Sequence, residues 1–284
     1  MIKGINYWAF TPGADGAPPD PVQAMKTARD LGYDQFELTV PESAALDITP
    51  GKAEHLRKQA EKIGIRLITL ASGIAWGTSP THPDKLVRRQ AVQSYQKILE
   101  IASWLGVETI LYLPGMVSAV FIPDFPPQPY DKVDLWARES LSQLLPIAEK
   151  TGVKIGIENV WNRFLLSPLE MKNFIDQFQS PFVGSYFDVG NVMLYGHPEH
   201  WIGILGKRIF AVHLKDFRVG VGNIDGFVDL LSGDVNFPRV MSAFSQAGYK
   251  GPFTAEIVPG KPGCAEKAIA AMMIIEKMKE VRHG

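Results

Sequence analysis

Eight times along 284 residues, a short run rich in β-branched and aromatic residues gives way to a longer run with apolar residues at helical spacing. The first strand is predicted over residues 2–9, ahead of a loop holding Pro12, Gly13, Gly16, Pro18 and Pro19. A helix follows over 21–32, where Val22, Met25, Ala28 and Leu31 recur at three-residue steps before Gly32. Strands at 35–40, 65–71 and 107–113 then alternate with helices at 51–64, 83–105 and 133–151. The second half repeats the rhythm, with strands at 153–158, 182–188, 209–214 and 253–258 and helices at 167–178, 198–205, 237–247 and 265–282. Shared among eight pairs, 284 residues leave about 36 for each, enough for one strand, one helix and their turns.

Strands this apolar, separated by helices, imply a parallel sheet covered by helices. Eight units favour a closed (β/α)8 TIM barrel, an α/β fold in a single domain over 1–284, rather than an open doubly wound sheet. No G-x-G-x-x-G turn follows the first strand, which weighs against a dinucleotide-binding fold. The Pro-rich stretch 123–129 is short and reads as a loop on the active face, not as a domain boundary.

Charge narrows the partners. Lys and Arg number 29 against 30 for Asp and Glu, a formal net charge of −1, so nothing favours a phosphate backbone and no nucleic-acid partner is expected. The longest apolar run, 268–275, is far short of the roughly 20 residues a membrane helix needs, so no membrane association is expected. The N-terminal MIKGINYWAF lacks the apolar stretch of a signal peptide. A single cysteine, Cys264, fits a reducing compartment. Together these point to a soluble cytoplasmic protein.

In such barrels the chemistry is built at the C-terminal ends of the strands. Strand five (VKIGIEN) ends at Glu158, strand six (FVGSYFDVGN) at Asp188, strand seven (IFAVHLKD) carries His213 near its end, and strand eight (GPFTAEIV) ends at Glu256. Three carboxylates and an imidazole on one rim would repel or strand one another without a positive charge among them. A divalent cation supplies it economically: oxygen ligands with one imidazole suit Mn²⁺, Mg²⁺ or Co²⁺. The competing account, ion pairs with Lys215, Arg218 or Lys154, is about as good for any one acid and poor for all four together.

At this point the sequence becomes recognisable. It resembles the xylose isomerase-like TIM barrels, the group that includes ketose 3-epimerases and L-ribulose 5-phosphate 3-epimerases. The resembling stretches are IGIENVWNRFLLSPLEM (155–171), YFDVGNVMLYGHPEHW (186–201), VHLKDFR (212–218) and GDVNFPRVMSAFSQAGYKGPFTAEI (233–257). The resemblance implies a metal, Mn²⁺ first with Mg²⁺, Co²⁺ or Zn²⁺ as alternatives, held by Glu158, Asp188, His213 and Glu256. It implies that Glu158 and Glu256 double as the acid/base pair, and that the substrate is a sugar or sugar phosphate. It also suggests a homodimer or homotetramer. Arg218 sits near where the family uses an arginine to hold substrate oxygens. Two positions depart from the ketose 3-epimerase pattern: Asn191 stands where those enzymes carry a histidine, and Phe164 where they carry a second glutamate.

Trp161, Asn162, Asn191, Lys215 and Arg218 are the expected substrate contacts. Trp8 and Trp76 could close the barrel mouth or pack on a sugar ring, and Tyr7 and Glu37 end the first two strands. His197 and His200 fit a helix start better than a metal pair, His55 and His82 are read as surface residues, and residues 232–236 as a plain turn. The leading reading is a metal-dependent isomerase, specifically a sugar epimerase or isomerase that abstracts a proton beside a carbonyl through an enediolate. The alternative is a dehydratase of the inosose or dehydroshikimate type on the same barrel. A metal-stabilised sugar-binding protein is disfavoured by the two glutamates. An endonuclease IV-like enzyme would need many strand-end histidines, and only His213 is so placed.

Overall fold

The alternation closes on itself. A computed structural model describes residues 1–10, 19–40, 48–122, 124–257 and 263–278. The barrel strands are β1 (Ile2–Asn6), β2 (Gln35–Val40), β3 (Thr69–Ser72), β4 (Thr109–Tyr112), β5 (Lys154–Glu158), β6 (Val183–Asp188), β7 (Ile209–Leu214) and β10 (Pro252–Ala255). They pair in parallel around a complete ring, β1 meeting β2 on one side and β10 on the other. A right-handed crossover through a helix returns each strand to the same end, so all eight C-terminal ends open on one face. The two remaining strands, β8 (Asp216–Phe217) and β9 (Phe227–Val228), form a small antiparallel ribbon on that face.

The helices are α1 (Pro21–Leu31), α2 (Pro50–Ile63), α3 (Ile74–Gly77), α4 (Lys85–Leu105), α5 (Tyr130–Thr151), α6 (Pro168–Asp176), α7 (Val189–Val192), α8 (Pro198–Leu205), α9 (Phe237–Gln246) and α10 (Cys264–Met278). Local chemistry sets their ends. The Asp20 carboxylate accepts the Val22 and Gln23 amides at the start of α1, and Gly32 closes it in the left-handed region at φ 99°. Aromatic packing seats the helices on the sheet: Phe187 of β6 lies 6.3 Å from the Trp201 ring of α8 and 6.2 Å from Phe244 of α9. Each such buried side chain contributes on the order of 1.5–3 kcal/mol of apolar transfer.

The structure corrects several element boundaries. Residues 7–10 form a 3-10 turn and do not extend the first strand, because the Asn6 side chain bonds the Trp8 amide and bends the chain there. Residues 65–68 precede β3 outside any named strand. The helix expected from 83 begins at Lys85 because Asp84 caps it. The helix expected from 133 begins three residues earlier, at Tyr130. The one-turn helices α3 and α7 and the β8–β9 ribbon have no counterpart in the sequence reading; segments this short carry too few residues to show a period. Residues 12, 13, 16 and 18 of the first loop, 123 of the Pro-rich loop, 258 of the last strand and 279–282 of the last helix lie outside the described residues.

The barrel interior is filled, not hollow. Gln35 donates to Thr254 (2.7 Å) and Thr69 (3.2 Å), a polar layer completely shielded from solvent. Side chains two residues further along the strands make the next layer, and that layer supports the site.

Candidate active site

Register brings the four predicted ligands together. Asp188, the last residue of β6, is the Cα partner of His213 on the neighbouring β7. Glu158 ends β5, and Glu256 lies one residue past β10. Their ligand atoms all lie within 4.8 Å of one another. His213 Nδ1 faces Glu256 Oε2 at 2.5 Å, Glu158 Oε1 at 3.5 Å and Asp188 Oδ2 at 3.9 Å. Yet Asp188 Oδ2, His213 Nδ1 and Glu256 Oε2 are buried with no hydrogen-bond partner of normal geometry. Burying such atoms with ion contacts alone and no hydrogen bond is expensive. Three of them aimed at one point are what a ligand set for a small cation looks like, so the residues present fit a divalent metal.

Lys215 supplies a positive charge as well, its Nζ 2.9 Å from Glu256 Oε1 and 3.2 Å from Asp188 Oδ2. Its backbone and Cβ crowd Gly190, where an added Cβ would stand 2.5 Å from the Lys215 Cβ, so α7 can pass only as glycine. Burial raises the proton affinity of each carboxylate, and the neighbours then separate them. Glu158 is pushed up to about 7, by burial first and by the charge of Glu256. Asp188 is also raised, chiefly by burial. For Glu256, Lys215 and His213 outweigh burial and hold it well below the usual carboxylate range. Burial alone would lower His213, but the surrounding carboxylates, Glu256 and Glu37 foremost, raise it well above the ordinary value.

Above this floor opens a cavity of about 180 Å³. Glu158, Asn191, Lys215 and Glu256 form its polar side. Trp8, Trp76, Phe121, Trp161 and Phe227 form a largely aromatic wall, and Trp161 is braced 5.0 Å from Phe227. Trp161 Nε1 also donates to the Asn191 carbonyl, tying the loop after β5 to the one after β6.

Two expected substrate contacts lie elsewhere. Arg218 is exposed, its Nε donating to the Ser232 carbonyl, and does not border the cavity. Asn162 is buried beneath the loop after β5: its Nδ2 donates to the Gly115 carbonyl and its Oδ1 accepts the Phe164 amide. It pins a turn in which Arg163 and Leu165 take positive φ values of 54° and 55°. Phe164, at the second departure position, packs against Tyr130 and Phe174 in the core. Tyr7 bonds the Pro19 carbonyl and does not border the cavity. His197 stands immediately before α8 with no capping hydrogen bond from its side chain, and residues 232–236 form the turn that Asp216 fastens through the Gly233 and Val235 amides.

Asn159, Phe227 and Ile224 escaped the sequence reading of the site, and Glu37 stands deeper than that reading placed it. Asn159 holds both backbone groups of Asp188, donating to its carbonyl (2.8 Å) and accepting its amide (2.9 Å). An amide side chain directly after a strand-end acid was the available signal. Glu37, expected at the rim, is completely buried below the cluster, 2.8 Å from His213 Nε2. Phe227 and Ile224 reach the cavity from the ribbon and its approach, and no local pattern announces that.

Residues 25–274 match the family of xylose isomerase-like TIM barrels. A protein of Escherichia coli strain K12, provisionally assigned as an L-ribulose-5-phosphate 3-epimerase, is 25% identical over 245 residues, spanning 83% of this chain and 82% of its own. The 2-epi-5-epi-valiolone 7-phosphate 2-epimerase of an Actinoplanes species is 24% identical over 219 residues, 75% of this chain and 72% of its own. Among solved structures, D-psicose 3-epimerase in the presence of D-fructose superposes with a TM-score of 0.81 at 16% identity, over 99% of this chain and 100% of that one. The names of these relatives and this structural neighbour are those of epimerases, a class of isomerase. With the closed barrel, the strand-end acids and a match running through most of its length, the chain belongs to the xylose isomerase-like TIM barrel family.

Proposed function

We propose that this chain is a divalent-metal-dependent sugar or sugar-phosphate epimerase or isomerase, with Glu158, Asp188, His213 and Glu256 holding Mn²⁺. The observation that carries this reading is the convergence of one ligand atom from each of these four residues within 4.8 Å, in a cluster where three buried atoms make no hydrogen bond. A cation held there would supply positive charge beside the substrate oxygen that becomes negative when an adjacent carbon loses its proton. Glu158 and Glu256, from β5 and from the residue after β10, both border the cavity, so a substrate there meets a carboxylate from each. In this reading one removes the proton beside the carbonyl and the other returns a proton to the opposite face. Lys215 offers donors to substrate hydroxyls or carbonyl, Asn191 borders the same cavity with its Nδ2 donating to the Asn159 carbonyl and to Glu158, and Trp161 offers an aromatic face to ring C–H groups.

The test is carbon-bound proton exchange in D₂O, followed by NMR, with Mn²⁺ and a panel of ketoses, ketose phosphates and inososes. Metal-dependent deuterium uptake beside a carbonyl, reduced roughly 10²–10⁴-fold in Glu256→Gln, is the expected result. Uptake followed by loss of water would make the chain a dehydratase. Full exchange in Glu256→Gln would remove that residue from the chemistry.

A further inference from the structure

Glu37 lies in a strand, QFELTV, in which all six residues are buried, and its own exposure is zero. A carboxylate there must be satisfied by other side chains, since an unpaired buried charge costs several kcal/mol. Thr69 hydrogen-bonds it, and three further donors reach it from across the barrel and from the neighbouring strand. Asn6, its Cα partner on β1, donates from Nδ2 to Oε1. Tyr186 of β6 donates its hydroxyl to Oε2. His213 of β7 presents Nε2 to Oε1 at 2.8 Å. Strand β2 does not neighbour β6 or β7 in the ring, so Glu37 bridges the barrel interior to reach them.

The two nitrogens of His213 thereby face different surroundings. Nδ1 faces the cluster of Glu158, Asp188 and Glu256, and Nε2 faces a carboxylate that can only accept. With Asn6 and Tyr186 filling other lone pairs of Glu37, the Nε2 position is occupied by a proton. That leaves the Nδ1 lone pair as the one available to a cation, and a metal-binding imidazole works when its second nitrogen is anchored in this way.

We propose that Glu37 is the positioning residue of the site: it holds the Nε2 proton of His213 and so fixes ring orientation and the choice of Nδ1 as ligand atom. The inference rests on the metal-site reading above for its consequence, though not for the hydrogen bond itself. Removing the carboxylate frees the ring to turn and lets the proton exchange between the two nitrogens.

Two measurements on the full chain, neither depending on turnover, test this. In ¹⁵N-histidine-labelled protein without metal, a slowly exchanging, downfield Nε2–H signal is expected, assigned by its loss in His213→Gln. Glu37→Gln, nearly isosteric, shifts that signal upfield or abolishes it, and Tyr186→Phe, which removes one support and keeps the pair, shifts it less. By titration calorimetry, Glu37→Gln weakens Mn²⁺ binding roughly 10–100-fold. An unchanged signal together with wild-type Mn²⁺ affinity in a folded Glu37→Gln overturns the proposal and makes Glu37 a plain lumen residue. If the wild type binds no Mn²⁺ yet its Nε2–H signal is lost in Glu37→Gln, the positioning role stands and the metal reading falls.

Discussion

Glu158 and Glu256 are the same residue type a few ångströms apart, and their surroundings give them opposite proton affinities. Metal uptake should show this. Burial and the charge of Glu256 raise Glu158 to about 7 without metal, so below that pH a cation must displace a proton from it. His213, also raised, gives up its Nδ1 proton too. Apparent affinity should therefore rise between pH 6 and 8 and fall towards acid, with proton release visible as calorimetric heats that depend on buffer ionisation enthalpy. Uptake with no proton release would contradict this balance. All four members of the candidate ligand cluster were legible in the sequence, because polar residues ending consecutive strands of a βα barrel have few other uses. Glu37 was only half legible. An acid inside an apolar strand signals a buried partner, but that partner comes from β7, 176 residues away.

At the scale of elements, the ribbon β8–β9 shows where pattern reading stops. Its strands are two residues each and were read as a long loop, because its fold depends on contacts distant in sequence. Asp216 is the fastener: its carboxylate accepts the amides of Phe217 (2.9 Å), Gly233 (2.9 Å) and Val235 (3.1 Å). An added Cβ at Gly233 would stand 2.3 Å from that carboxylate, so the two are matched. Asp216→Ala should destabilise the protein by about 1–3 kcal/mol, from three amides left without their acceptor. It should also raise hydrogen exchange over residues 217–235 and weaken substrate binding through displaced Phe227. Protection equal to wild type would show that packing alone holds the ribbon. The C-terminal ends of the long helices were found to the residue, since caps such as Gly106 and Gly152 are local signals, while their starts differed by two or three residues.

For the whole molecule, binding at the barrel mouth is linked to folding, because a scattered ligand set exists only when the ring is closed. A metal at 100 times its dissociation constant should stabilise the chain by about 2.7 kcal/mol. For a domain of this size that is a rise in Tm of roughly 4–5 °C, reversed by chelator. A Tm indifferent to Mn²⁺ and to EDTA would count against the site. The closed ring has another consequence, for how copies of this chain can meet. Every barrel strand already has a neighbour on both sides, so among the described residues, outside the two-residue ribbon, no row of free strand amides is left on which a strand from another molecule could grow. Continuation of the sheet from one molecule to the next is barred by topology. Any assembly of these barrels must be held by side chains on helices and loops, and an interface of that kind can change in evolution without touching the ring.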